Sequence, residues 1–126
     1  QAETINSANQ ALLKKALEEP ETGSTFLIAE TDSGLRAGFI FLQTETEFFS
    51  RQPQGYISDL VVHPDHEGQG VGRALLQAAE AWAQDNGFPV LTLYVFASNA
   101  RARQLYEKVG FQAELIKYAK PIPPKA

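Results

Sequence analysis

The run HPDHEGQGVGRALL, residues 63–76, restricts this chain more than any other stretch. Gly68, Gly70 and Gly72 lead directly into a helical pattern. Val71, Ala74, Leu75, Ala78, Ala79, Trp82 and Ala83 recur at helical spacing, which predicts a helix over 71–86. Gly87 and Pro89 supply its stop. Just before the run, YISDLVV reads as a strand that ends at Pro64. A helix start carries backbone N–H groups without intrahelical partners and a partial positive charge. Glycines remove the Cβ atoms that would keep a ligand away. Together these conditions suit an anion, most simply a phosphate or pyrophosphate. A glycine-rich bend without a ligand has the same local spacing, so spacing alone leaves both readings open.

The rest of the chain is read around that junction. Asn6 or Ser7 caps an expected first helix whose apolar face is Ala8, Ala11, Leu12 and Ala16, ended by Pro20. TFLIAE and LRAGFIFLQTE form an expected hairpin across the turn TDSG, followed by the loop FFSRQPQG. After the glycine-led helix, VLTLYVF reads as a buried strand. A second helix is expected from Ala100 to Val109, with Ser98 or Asn99 as cap and Gly110 as stop. FQAELIKYA reads as a last strand, and KPIPPK as a stiff tail. The order is that of an α/β sandwich, with hairpins first and crossovers after.

At 126 residues, 44% hydrophobic and 21% charged, the chain is expected to form a single domain over 1–126 with its own core. A net charge of −4 argues against a nucleic-acid footprint. The absence of cysteine excludes disulfides, thiolate metal sites and a Cys nucleophile. No apolar run approaches a membrane span, and no signal peptide is visible. The expectation is a cytoplasmic protein. The first residue is Gln1, so the chain is either processed or a fragment.

Two familiar phosphate loops fail. A Walker A loop needs Lys-Ser/Thr after its last glycine, and here Arg73-Ala74 follows Gly72. The dinucleotide pattern G-x-G-x-x-G breaks at Arg73 when started from Gly68, and at Leu75 when started from Gly70. A third pattern fits. LVVHPDHEGQGVGRALL resembles the acetyl-coenzyme A motif of the GCN5-related N-acetyltransferases, Arg/Gln-x-x-Gly-x-Gly/Ala, with Glu67, Gly70 and Gly72 at its places. NARARQLYEKVGF resembles the second motif of that family through Asn99, Ala102, Leu105, Tyr106, Gly110 and Phe111. The resemblance covers roughly residues 25–115.

The resemblance implies an α/β fold: a mixed, mostly antiparallel central sheet with helices on both faces. Family members usually have a strand before the first helix, and this chain is expected to begin after it. A missing first strand would expose a sheet edge and invite pairing between copies, a route to a homodimer. The implied activity is acetyl transfer from acetyl-CoA, as cosubstrate, to an amine in one ternary complex. The coenzyme diphosphate would lie on Gly68, Gln69, Gly70, Val71 and Gly72, beside Glu67 and Arg73. Its pantetheine arm would pair with Leu60, Val61 and Val62, and a backbone N–H near Val61 or Val62 would polarise the thioester carbonyl. Tyr106 would protonate the departing thiolate. The same ring also fits the core face of its helix, beside Ala102, Leu105 and Val109. Asn99 either touches the coenzyme or simply caps the helix.

The base is less defined. An alkyl ammonium has a pKa near ~10.4, so on the order of one molecule in a thousand is neutral at pH 7. Where some family members place a Glu, this chain has Tyr94 or Tyr56. Asp59 is the nearest carboxylate, and it serves either as a polar structural anchor or as the base. Glu45 and Glu47 read as residues of a solvated strand face. Phe48 and Phe49 are expected to tuck against the sheet rather than line an acceptor pocket. His63 and His66 share an H-x-x-H spacing, but no further ligand converges on them in sequence, so no metal site is expected. Arg73, closest to the loop, is the one arginine expected at the coenzyme; Arg101 and Arg103 read as solvated.

Glu67 stands where the resembled motif has Arg or Gln. At ~6 Å and an effective dielectric of ~40, a carboxylate repels each phosphate charge by about 1–1.5 kcal/mol, about tenfold in affinity. Turning to water or pairing with a cation reduces that repulsion. The acceptor is expected to be an amine on a small molecule, a protein N-terminus or a lysine. A rival reading from another class is a degenerate domain of the same fold that binds CoA, or no coenzyme, and serves as an interaction module.

Overall fold

The structure is a computed structural model. It describes the backbone of residues 5–6 and 11–19 and the whole of residues 24–125. Among the described residues, six strands form one sheet in chain order: β1 (Ile5–Asn6), β2 (Ala11–Glu19), β3 (Ser24–Thr31), β4 (Arg36–Thr46), β5 (Pro53–Val62) and β6 (Leu91–Leu93). Neighbouring strands are antiparallel from β1 to β5, and β6 joins β5 in parallel. A parallel pair needs a crossover. Here it is the 3-10 turn Pro64–His66 followed by α1 (Val71–Asp85). A second helix, α2 (Ala100–Lys108), follows β6. The expected α/β class, with a mixed and mostly antiparallel sheet, is what the chain forms. No helix among the described residues is long and apolar enough to cross a membrane.

The core lies between the sheet and α1. Leu27 and Ala29 of β3, Ala37, Ile40 and Leu42 of β4, and Ile57 of β5 point at Val71, Leu75, Leu76, Ala78 and Ala79 of α1. Leu27 and Ala29, and Ile40 and Leu42, alternate because the side-chain period of a strand is two, while Ala37 lies at the register shift between Ala29↔Gly38 and Glu30↔Arg36. The helix residues share one stripe because its period is 3.6. Leu105 and Tyr106 of α2 and its C-cap Val109 pack, partly buried, against the same core, and Phe111 joins them just past the helix. On the opposite side of the sheet, Phe26 stacks with Phe39 at 4.9 Å and meets Phe41 edge-on at 5.6 Å.

The two ends of the chain depart from expectation. Residues 11–19, expected in the first helix, form β2 and pair with β3 from Ala11↔Thr31 to Glu19↔Ser24. Ala8, also assigned to that helix, lies outside the described residues, as does the proposed cap Ser7. Helix propensity is a weak local preference. A full ladder satisfies the peptide groups along β3's outer edge, and that long-range gain prevails here. At the other end, residues 111–125 form neither strand nor helix. Leu115, Ile116, Tyr118 and Ile122 are all exposed. A strand needs a partner, and the prolines at 121, 123 and 124 withhold donors from any ladder. The expected buried strand 90–96 is also shorter: only Leu91–Leu93 pair, while Tyr94, Val95 and Phe96 are exposed. Phe48 and Phe49 do not tuck against the sheet. They sit exposed at the tip of the β4–β5 loop, edge to face with each other at 5.1 Å. Glu47 holds that tip by accepting from the N–H groups of Phe49 and Ser50, which lowers its carboxyl pKa.

Candidate active site

The junction after β5 is built from local hydrogen bonds. The N–H of His63 donates to Ala37 O at 2.7 Å, fixing the strand end to β4. His63 Nδ1 accepts from the N–H of Asp65, and His66 Nδ1 lies 3.1 Å from Gln69 Oε1. Both imidazoles therefore serve the turn itself. Gly68 and Gly70 then adopt positive φ angles, 77° and 81°. Side chains rarely tolerate that region, which is why glycine is needed there. Gly70 is the N-cap of α1, and no side chain caps it. The first bond of the helical ladder runs from the N–H of Ala74 to Gly70 O at 3.0 Å. The amides of Val71, Gly72 and Arg73 precede that ladder, as helix geometry requires. At Gly72 a Cβ would meet Leu105 Cδ2 at 3.3 Å, so the bare backbone lets the first turn of α1 lie against α2.

Beside this junction β5 leaves β6. Phe41 pairs with Asp59 and Leu42 with Ile57, so Ser58 is an extra residue in β5. Its hydroxyl donates to Phe41 O at 3.3 Å. A bulge of this kind bends its strand. The β5–β6 ladder ends at Ile57↔Leu93, one residue before the bulge. From Ser58 onward β5 is paired with β4 on one side and has no ladder partner on the other among the described residues. A cavity of about 240 Å³ opens there, lined by Ile57, Ser58, Asp59, Leu60, Val61, Leu93, Tyr94 and Tyr106.

Tyr106 enters this cleft from α2. The helix start is held by Asn99, whose Oδ1 accepts from the N–H of Ala102 at 3.2 Å. Of the two roles open to Asn99, its side-chain oxygen takes that of helix cap. Burial raises the Tyr106 hydroxyl above the ordinary tyrosine pKa, so it holds its proton at neutral pH. Tyr56 and Tyr94 meet edge-on at 5.8 Å. The Tyr56 hydroxyl is raised too, first by burial, then by the charge of Glu45, the neighbouring Tyr94 and the charge of Asp59. Neither of the hydroxyls so raised is a base at neutral pH.

The structure thus gathers Asp59, Leu60, Val61 and Tyr106 around one cleft. Val62 turns to the core side, where its Cγ2 is 3.7 Å from the place of a Cβ on Gly72. Glu67 is paired: its Oε1 lies 3.5 Å from Arg101 Nη2. Arg101 is one of the two arginines expected to be solvated, and it is paired instead. Arg103 is engaged elsewhere, donating to Ala97 O at 3.0 Å and lying 3.9 Å from Glu107. Ser58 was missed, and its one signal in the sequence is a hydroxyl set between apolar neighbours in a strand.

The family described as Acetyltransferase (GNAT) family matches residues 3–111. The chain belongs to this family. The uncharacterized N-acetyltransferase YhfO of Bacillus subtilis (strain 168) is 35% identical over 127 residues, covering 99% of this chain and 83% of that protein. A mycothiol acetyltransferase of Propionibacterium freudenreichii subsp. shermanii is 38% identical over 85 residues. That match covers 68% of this chain and only 27% of the relative, so the chain spans about a quarter of that protein's length. Among solved structures, a putative acetyl transferase from Pyrococcus furiosus superposes with a TM-score of 0.72 at 28% identity, covering 79% of this chain and 66% of that one. The glycine junction, the bulged strand and the parting of β5 from β6 are therefore features of a GNAT fold in this chain.

Proposed function

We propose that this GNAT chain transfers an acetyl group from acetyl-CoA to a primary amine by direct attack in a ternary complex. One observation carries the reading. The free edge of β5 after Ser58 and the Tyr106 ring border one cleft, and the strand that forms this edge runs on through the glycine turn into the uncapped start of α1. The residues present fit the coenzyme. Left-handed glycines at 68 and 70 and the bare first turn of α1 suit a diphosphate. The free edge of Leu60, Val61 and Val62 offers peptide groups to an amide-bearing arm, as a sheet edge does to an added strand. A backbone N–H near Val61 or Val62 would polarise the thioester carbonyl.

In the transfer, the amine nitrogen bonds to the acetyl carbon and the carbon–sulfur bond breaks. Tyr106 gives its proton to the leaving sulfur. Its raised pKa keeps that proton available at neutral pH. Asp59, exposed at the cleft mouth, takes the proton lost by the amine, directly or through water. The acceptor is an amine-bearing small molecule, protein N-terminus or lysine. The name of the Propionibacterium relative refers to mycothiol, and it adds a small molecule to the acceptors to be tried.

Thiol release with a panel of amines tests the proposal. Release that depends on both acetyl-CoA and an amine is expected. Coenzyme binding without turnover on any amine would favour the rival reading, a degenerate CoA-binding module. On sequence alone, Glu67, the absent family acid and the ends of the chain all favour that rival, and the charge of Glu67 is partly offset by Arg101.

A further inference from the structure

We infer that Arg101 is a phosphate-binding residue of the coenzyme site, occupied by Glu67 until the coenzyme arrives. This rests on the acetyl-CoA reading above. From the sequence Arg101 reads as solvated, since it belongs to the second motif, far along the chain from the glycines. The fold brings the two together. Gly72 allows α1 to lie against Leu105 of α2, and the Glu67–Arg101 pair brings the first turn of α2 to the turn that precedes α1. Glu67 immediately precedes Gly68, and Arg101 sits in the first turn of α2. The guanidinium therefore stands beside the same glycine turn that would receive the diphosphate.

The pair is built to be exchanged rather than kept. The side chains of Arg101 and Glu67 are 79% and 46% exposed, and their separation of 3.5 Å is that of a loose ion pair. Exposed pairs of this kind contribute little to stability. A diphosphate carries more than one negative charge and offers the planar guanidinium a matched set of oxygens. It would displace a single carboxylate. Arg103 cannot take this place without leaving Ala97 and Glu107. Glu67 then has two effects on the coenzyme: it repels the phosphates, and it competes for the cation that would bind them.

Isothermal titration calorimetry at low salt, with coenzyme A as the probe, tests the assignment. Arg101→Gln should weaken binding about fivefold to tenfold, the worth of one charge-assisted contact on a phosphate. Arg101→Lys, which keeps the charge and loses the fork, should fall between. Glu67→Gln should tighten binding several-fold; the share of that gain due to competition for Arg101 should vanish when Arg101 is also Gln, while the share due to direct repulsion should persist. Dephospho-coenzyme A should show the same Arg101 penalty, because the contact is with the diphosphate. Unchanged affinity in Arg101→Gln would overturn the assignment, as would an equal gain from Glu67→Gln in both backgrounds. A penalty lost with dephospho-coenzyme A would overturn the diphosphate contact in favour of the 3′-phosphate. A wild-type chain with no affinity for coenzyme A overturns the acetyltransferase reading itself, and is distinct from all of these.

Discussion

The two helices rest on the same core and are secured in opposite ways. Seven of the fifteen residues of α1 are buried, from Val71 to Ala83, and its start has no side-chain cap. None of the nine residues of α2 is buried, and its start is capped by Asn99. Core packing holds α1 without a side-chain cap, which leaves the amides of its first turn open to the proposed ligand. α2 rests on half-buried Leu105, Tyr106 and Val109, and the cap offsets part of what it lacks in burial. The helix proposed to bind the coenzyme is anchored by its middle; the helix that carries the proposed proton donor is fixed by its end. Apolar burial supplies most helix stability in proteins, so a functional terminus is best placed on a helix whose other residues are buried.

The sharpest way to break this contrast is to weaken the anchor of α1. Leu75 is fully buried at its centre. Leu75→Ala should destabilise the fold by about 2–5 kcal/mol in urea or guanidinium unfolding. Leu105→Ala in half-buried α2 should cost clearly less. Equal losses would mean that the two helices share the core load evenly. Next in size is the chemistry of α2. Tyr106→Phe should lower turnover by about a hundredfold, while coenzyme affinity stays close to wild type and stability changes little. An unchanged rate would remove Tyr106 from the mechanism and leave only its packing role. Smaller again is the cap. Asn99→Ala should cost about 1 kcal/mol of stability. Asn99→Ser, which restores an acceptor, should recover most of it. If alanine is harmless, α2 is held by its apolar contacts alone and the contrast with α1 weakens.

The same contrast explains what could be read from the sequence. Most of the span from β3 to α2 is legible because its elements are written locally; the exceptions are strand 90–96, of which only Leu91–Leu93 pair, and the exposed Phe48 and Phe49. β3 and β4 flank a tight turn, the stripe of α1 is continuous from Val71 to Ala83, and glycine stands at both positive-φ places of the junction. Asn99 and Gly110 mark the limits of α2 in the sequence itself. The ends were misread because their state depends on partners far along the chain. ALLKKALEE has a helical composition, yet as β2 it forms a ladder with β3. FQAELIKYA has strand composition, yet no ladder partner among the described residues. Within the candidate site, the glycines, Asp59 and Tyr106 were visible as residue types. The Ser58 bulge and the Glu67–Arg101 pair were not, because a register shift and a contact between the two helix starts leave no periodic trace.

The smallest expected effect concerns pH, and it sharpens the description of α2. Burial raises the Tyr106 hydroxyl above its ordinary value near ~10. Between that value and the raised one, the unfolded chain has lost a proton that the folded chain still holds. Stability therefore falls as pH climbs through this window, and the whole contribution is present below it. Tyr56 acts in the same sense, chiefly through its burial and then through Glu45, Tyr94 and Asp59. Denaturant unfolding from neutral pH upward should show a decline beginning near the ordinary tyrosine value. Tyr106→Phe should shrink that decline, Tyr56→Phe should shrink it as well, and the double substitution should shrink it further. A slope unaffected by Tyr106→Phe would mean that the ring opens to water in solution. α2 would then be held still more by its cap, and less by the core, than its packing indicates.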